Sequence, residues 1–502
     1  MASAHYGSAG WILVGLYASL IVFFVWRGAR KTKSVQDYAL GSMAFSPAAV
    51  GLSLAAAMTS AATFIINPGF VAHFGLAGFI SMGVALPVAA LLSLTVLTKG
   101  FRRVGKSTKA LTMAQWMSGM YGSPAFGRFM AFMSLLLLTF IVLITVGITN
   151  VLASLLVLPK VPVAGALIVF VFGYMMFGGA NSMVYTNVVQ ALIMIVVAVI
   201  LITSGLGYFS DGFGAFLERL RVLDPVLASP VNPTSPLFRD YFEVIVIQVI
   251  IGIAIVCQPH IITKSLLLND DKSVNRYLVV AVGVEALFFV VVFAGLYARL
   301  FFAENGAMLP PVDGVMSAFV VQRFGPAVGL LVIIGLISAG LSTLEGLIQS
   351  LSTTITQDII KPLAGSVLPS SLSDITLNRM VIVALAAAAF VVTRQQLVSP
   401  DLSVGILAQN GVYAYFAAAF VPVLFGIFVR NAPLAAVASS AVTAAVVHFA
   451  VYYGRLTPYM ETPVRNPAIA AGLAIIASFV AGTTLLLLLR DRSQPLFGKQ
   501  DD

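Results

Sequence analysis

The sequence predicts an all-α polytopic membrane protein, and three observations carry that prediction. Only 9% of the residues are charged, against about 25% in an ordinary soluble domain. The chain is 60% hydrophobic, with a mean hydropathy of +1.01. Apolar stretches of about 20 residues, each long enough to cross a bilayer as a helix, recur from Trp11 to Leu489. Short alternating segments of the barrel type do not appear. The net charge of +9 and pI near 9.6 would point to nucleic acid on a soluble protein. Here the basic residues stand mostly in short loops beside the apolar runs, where they fix topology, so no nucleic-acid partner is expected. The single cysteine, Cys257, excludes an intramolecular disulfide and argues against a metal cluster.

Taken in order, the first run covers about 11–26 and ends in Arg27, Arg30, Lys31 and Lys33. Positive charge stays in the cytoplasm, so this helix runs inward and the N-terminus lies outside. No basic region or small-residue cleavage site precedes it, so no signal peptide is expected. A second run, 45–74, is interrupted by Asn67, Pro68 and Gly69, and a third, 76–97, leads into Lys99, Arg102, Arg103, Lys106 and Lys109. Two spans after the first basic loop the chain is inside again, and the parity agrees. Further runs stand at 126–156, 163–179, 184–206, 241–263, 277–302, 325–356, 379–394, 403–429, 433–453 and 467–489. That gives about thirteen spans and a cytoplasmic tail, 490–502. The longest polar segment, 209–241, reads as a solvated outer loop with one amphipathic turn. No 20–50-residue repeat and no attached soluble domain is present.

In hydrocarbon every backbone group needs a partner, so a broken helix survives only beside a protein-lined cavity. Two segments break the smooth apolar pattern: Ser53 to Gly69, rich in small residues and hydroxyls, and Gln248 to His260, whose Pro259 frees a carbonyl one turn upstream. They fall in the second and seventh spans. Interrupted helices at corresponding places in two halves point to a transporter's binding site, and an odd separation makes the halves inverted. A third polar cluster runs from Ser338 to Asp358. Ser338, Ser342 and Glu345 share one helix face, and hydroxyl and carbonyl oxygens suit a hard monovalent cation. Glu345 and Glu285 are carboxylates deep in apolar runs, which mark ion or proton pathways. His260 reads as a polar anchor near water, close to Lys264 at the cytoplasmic end.

These features resemble the sodium:solute symporter family over nearly the whole chain. Ser60-Ala-Ala-Thr-Phe64 with Pro68-Gly69 looks like the family's first core helix. Phe177-Gly-Gly179 followed by Tyr185-Thr-Asn-Val-Val-Gln190 looks like its GG…TDxxQ motif. Gln258-Pro-His260 with Asp271-Lys-Ser273 looks like the LPH…DxK stretch of the pantothenate and acetate branches. Ala339-Gly-Leu-Ser-Thr343 with Asp358 looks like the eighth core helix, and Phe420-Val-Pro-Val-Leu-Phe-Gly426 like a late F-P-L helix.

The resemblance implies a LeuT-like fold: an extra N-terminal helix (10–26), two inverted five-helix repeats (45–206 and 241–429) and two C-terminal helices (433–489). It implies Na⁺ as the coupling ion, held by the carbonyls of Ala56 and Thr59 and by oxygens of Ala339, Ser342 and Thr343. It implies a substrate site near Ser60, Thr63, Gln258 and Asn410. One departure stands out. The motif's aspartate is Asn187 here, while Glu345 stands one turn after Ser342. In relatives with a second sodium that aspartate lies near the eighth core helix, so Glu345 is expected to supply the missing charge at a second cation or proton site.

The expected function is secondary active uptake of a small organic monocarboxylate of the pantothenate, acetate, pyruvate or lactate type. A neutral solute such as proline or a sugar, or a transport-dead sensor, are the alternatives. An enzyme and a channel are disfavoured, because no nucleotide loop, nucleophile–base motif or selectivity filter stands out. The expected surroundings are a cell membrane of the bacterial inner-membrane kind, with no obligate protein partner.

Overall fold

The computed structural model describes residues 7–42, 44–268, 270, 272–365, 367–369, 371–399, 403–461 and 464–489. The expected tail 490–502 and Asp271 of the DxK stretch lie outside the described residues. The described chain is helical almost throughout, as a bilayer requires of a polytopic protein. Eleven helices are long and apolar enough to cross a membrane. A bent pair adds a twelfth, and a 16-residue apolar helix stands among them. In chain order they are α1 (Ser8–Ala29), α2 (Pro47–Phe74), α3 (Leu76–Ser107), α4 (Pro124–Leu156), α5 (Lys160–Met175), α6 (Ala180–Phe209), α7 (Phe242–Ile255 with Pro259–Leu267), α8 (Lys272–Glu304), α9 (Pro326–Ala364), α10 (Asp374–Val398), α11 (Val404–Phe428), α12 (Leu434–Gly454) and α13 (Pro467–Leu489).

Burial sorts these helices into a core and a shell. In their most apolar stretches 83% of α2 and α11 and 78% of α9 are buried, against 22% of α1. Small residues concentrate in these three central helices, and hydroxyls in α2 and α9, because close helix approach and internal hydrogen bonds replace the lipid-facing Leu and Val of the shell. Helix α2 packs against α8, α9 and α6, and α11 lies against α4, α12 and α13.

Both expected helix interruptions exist, but that of α2 is not where the Pro-Gly pair stands. The chain breaks at Ser60, whose φ of 52° and ψ of 170° leave the helical region. A π-helical stretch, Ala62–Ile66, follows and runs directly into the segment Asn67–Phe74, so Pro68 stands in a continuing helix just after a locally widened turn. Gly69 serves packing: a Cβ there would lie 2.1 Å from the Val312 carbonyl oxygen. Helix α7 bends by 56° between Ile255 and Pro259. The carbonyl of Ile255 accepts both the backbone N–H of Gln258 at 3.3 Å and its Nε2 at 3.1 Å.

The segment expected as a solvated loop with one amphipathic turn forms an 11-residue helix, Phe213–Leu223, which buries Phe216 and Leu220. Leu227 just beyond it lies so close to Gly75 that a Cβ there would meet the Leu227 carbonyl at 2.3 Å. Gly75, at φ 75°, is the hinge between α2 and α3.

Candidate functional site

The break in α2 creates the first half of the site. Where a helix stops, the carbonyls of its last turn lose their intrahelical donors. Helix α9 supplies hydroxyls to them: Ser342 Oγ donates to the Ala56 carbonyl at 2.8 Å, and Thr343 Oγ1 donates to the Ala57 carbonyl at 2.7 Å. The same hydroxyls lie 3.1 and 3.4 Å from the Ala339 carbonyl. All of these residues are buried. The structure thus brings Ala56, Ala339, Ser342 and Thr343 into one cluster of oxygens, together with Ala57, which the motif comparison omits. Thr59 is one turn on. Its hydroxyl lies 2.7 Å from the Ala55 carbonyl and 3.0 Å from Glu285 Oε2 on α8 and so is turned away from the cluster. Such an array, neutral and oxygen-only, matches a hard monovalent cation.

Beside the break lies a cavity of about 850 Å³, counting its open mouth. Ser60, Thr63 and Gln258 line it, as the motifs imply. The Ser60 hydroxyl accepts the Ala62 N–H at 3.0 Å, capping the second half of α2. Gln258 and Gln248 each keep a buried amide oxygen without a protein partner among the described residues. Asn410 is not brought to this cavity. Helix α11 faces it with Gly405, Ala408, Gln409, Val412 and Tyr413, a single stripe at helical spacing from which residue 410 is excluded. Asn410 turns toward α12, donating to Tyr453 Oη at 3.1 Å and accepting from His448 Nε2 at 3.0 Å. Gln409 is the polar residue that α11 offers instead. In a helix apolar on every side, sequence carries no sign of which of two adjacent amides points inward.

Glu345 is buried and receives Tyr174 Oη at 2.6 Å, Thr186 Oγ1 at 2.7 Å and Gln190 Nε2 at 3.4 Å. Asn187 stands next to it. Its amide satisfies its neighbours in one orientation: the nitrogen donates to Gln190 Oε1 at 2.9 Å and Glu345 Oε2 at 3.1 Å. The oxygen accepts from Ser53 Oγ at 3.1 Å and Lys264 Nζ at 3.0 Å. Glu345 and Asn187 are therefore together, as expected. Lys264 and Ser53 complete the group and were not anticipated. Lys264, expected near water, is 3% exposed, and its ammonium donates to the Ser53 carbonyl at 3.0 Å and hydroxyl at 2.8 Å. The signal available in sequence was a lysine standing before an apolar Leu266-Leu267-Leu268 run. His260, read as a solvent-side anchor, is likewise buried, its ring 6.0 Å from that of Phe140. His260 and Lys264 line a second, smaller cavity beyond Pro259.

Outside the membrane-spanning segments, Asp313 holds the start of α11. Its carboxylate accepts Ser403 Oγ at 2.6 Å and the Val404 N–H at 3.0 Å. Burial raises its pKa above the ordinary carboxylate value, against the lowering effect of those two hydrogen bonds.

The sequence pattern of the sodium:solute symporter family matches residues 38–442. The chain is 27% identical over 287 residues to a sodium/pantothenate symporter of Escherichia coli, a match covering 55% of this chain and 58% of that protein. The aligned part is thus less than two thirds of that relative's length. It is 25% identical over 360 residues to the sodium/pantothenate symporter of Haemophilus influenzae, covering 68% and 71%. It is also 25% identical over 414 residues to a high-affinity proline transporter of Bacillus subtilis, covering 81% and 83%. Among solved structures, a Na⁺-coupled sialic acid symporter in a substrate-bound outward-open state superposes with a TM-score of 0.75 at 18% identity. That match covers 97% of this chain and 99% of that one and establishes the LeuT-like fold. The expected fold is borne out, and the chain belongs to the sodium:solute symporter family, as a multi-pass membrane transporter and not an enzyme.

Proposed function

We propose that the protein is a Na⁺-coupled symporter of a small organic monocarboxylate, working by alternating access. The observation that carries this reading is the oxygen cluster of Ala56, Ala339, Ser342 and Thr343, set in the last turns of α2 before its break at Ser60, which lines a cavity. Na⁺ bound there, with the Thr59 carbonyl completing the set, ties α2 to α9 and fixes the shape of the cavity wall. The two repeats, 45–206 and 241–429, rock around this seam. By linkage, Na⁺ tightens solute binding and solute tightens Na⁺ binding by the same factor.

An anion is supported by charge. The second half of α2 presents its N-terminus at the cavity, and a bound Na⁺ adds a full positive charge nearby. Ser60, Thr63, Gln258 and Gln409 are the polar groups placed to orient the solute. The unpartnered amide oxygens of Gln258 and Gln248 need donors. This favours an acid that also carries a hydroxyl or amide N–H, such as pantothenate or lactate, over acetate or pyruvate. A neutral solute is the second reading, supported by the absence of any charged residue from the lining among the described residues and by the proline-transporting relative.

A thermal-unfolding screen tests the choice. Pantothenate, lactate, acetate, pyruvate, proline and a hexose are each added to the purified protein in Na⁺ or in K⁺. Stabilisation by a hydroxylated or amide-bearing acid in Na⁺ alone is expected. Stabilisation only by proline or the hexose sinks the monocarboxylate assignment.

A further inference from the structure

The buried group at Asn187 and Glu345 has the layout of a cation site that already contains its cation. Lys264 carries three N–H donors and no acceptor, and three oxygens meet them: the Ser53 carbonyl at 3.0 Å, the Ser53 hydroxyl at 2.8 Å and the Asn187 amide oxygen at 3.0 Å. The balancing charge is Glu345, one amide away, whose carboxylate takes the Asn187 nitrogen at 3.1 Å. A buried ammonium is tolerated only when paired and fully hydrogen-bonded, and here every proton has an acceptor.

The position is as informative as the ligands. Ser53 lies one turn before Ala56 and Ala57 on α2, and Glu345 lies just after Ser342 and Thr343 on α9. Lys264 therefore stands in the same α2–α9 seam as the oxygen cluster, one turn further along, with α6 closing the third side through Asn187. The asparagine follows from this arrangement. An aspartate at 187 would set a second carboxylate about as close to Glu345 as the present 3.1 Å contact and force the two like charges together. An amide accepts from the ammonium on one side and donates to the carboxylate on the other. Asn187, Lys264 and Glu345 are a matched set.

Resting on the reading of the chain as a Na⁺-driven symporter, we propose that the α2–α6–α9 junction is a cation site filled from within by the Lys264 ammonium. A free cation then occupies only the neighbouring cluster at Ala56, Ala339, Ser342 and Thr343. Shortening Lys264 vacates a pocket of carbonyl, hydroxyl and amide oxygens, with the Glu345 carboxylate one amide away as the balancing charge, suited to a second monovalent cation.

The test is equilibrium binding of ²²Na⁺ to the purified full-length chain, comparing wild type, Lys264→Ala and the double variant Lys264→Ala/Glu345→Gln. The expected result is one more Na⁺ bound per chain in Lys264→Ala than in wild type, displaced by methylammonium. The gain is expected to vanish in the double variant, which lacks the balancing negative charge. No extra ion in folded Lys264→Ala, or an extra ion that survives Glu345→Gln, overturns the proposal. So does a wild-type chain that binds two Na⁺, and that count decides the matter if Lys264→Ala does not fold. The wild-type count separately tests the parent reading: a chain that binds no Na⁺ contradicts Na⁺ coupling, while the difference between variants still judges the role of Lys264.

Discussion

Replacing Ser342 with alanine removes one oxygen from the cluster that joins α2 to α9. Hydrogen bonds and ligand contacts to a charged group contribute about 1.5–3 kcal/mol, which sets the loss in the Na⁺-bound state. The Na⁺-free state loses something as well, because Ser342 Oγ then donates to the Ala56 carbonyl at 2.8 Å, a bond worth about 1 kcal/mol net. The difference, roughly 0.5–2 kcal/mol, is what Na⁺ affinity reports, and at about 1.4 kcal/mol per tenfold it predicts a 2- to 30-fold weakening. Both effects are read from one experiment, the thermal-unfolding midpoint as a function of Na⁺. The variant should melt lower without Na⁺ and need more Na⁺ to recover. Ser338→Ala is the control. Its hydroxyl pairs with Tyr17 Oη at 2.7 Å on α1 and not with the α2 carbonyls, so it should lower stability while leaving the Na⁺ midpoint unchanged. An unshifted Na⁺ midpoint in Ser342→Ala, or an equal shift in Ser338→Ala, would refute the assignment of the cluster as the Na⁺ site.

Gln409→Ala should weaken solute binding severalfold with little change in melting, whereas Asn410→Ala should lower stability by about 1 kcal/mol and spare solute affinity. Isothermal binding and unfolding of the two variants separate these outcomes. Ser60→Gly should keep the α2 break, because glycine accepts a φ of 52°, while the β-branched Ser60→Val should cost about 1–3 kcal/mol and abolish transport. Asp313 gives a pH signature. Its folded pKa is raised by burial, so its contribution to stability is fully present below the unfolded value and lost as pH rises through the folded one. The melting temperature should therefore fall as pH rises through the range just above the ordinary carboxylate pKa, and Asp313→Asn should flatten that slope.

The membrane spans were legible because lipid leaves the chain no choice: about 20 apolar residues make one crossing, and basic loops separate the runs. The oxygen cluster proposed to hold Na⁺ was legible as a meeting of two segments, Ala339-Gly-Leu-Ser-Thr343 and the small-residue stretch before Ser60. Three things were not. The α2 break falls on a serine with no local signal, while the Pro68-Gly69 pair that looked like a break continues a helix after a π-helical stretch. The rotation of α11 is hidden because the helix is buried nearly all round, so Asn410 and Gln409 are equivalent until α4 and α12 are placed. The burial of Lys264 depends on Ser53, more than 200 positions away, and such a pairing exists only in three dimensions.

On the proposed function, a Na⁺ gradient drives solute through this chain. The direct measurement is uptake of radiolabelled pantothenate, lactate and proline into proteoliposomes under an imposed Na⁺, H⁺ or K⁺ gradient. Concentrative uptake of one of the acids under the Na⁺ gradient alone, lost in Ser342→Ala, is the predicted result. Uptake driven by H⁺ and indifferent to Na⁺ and to Ser342 would contradict it.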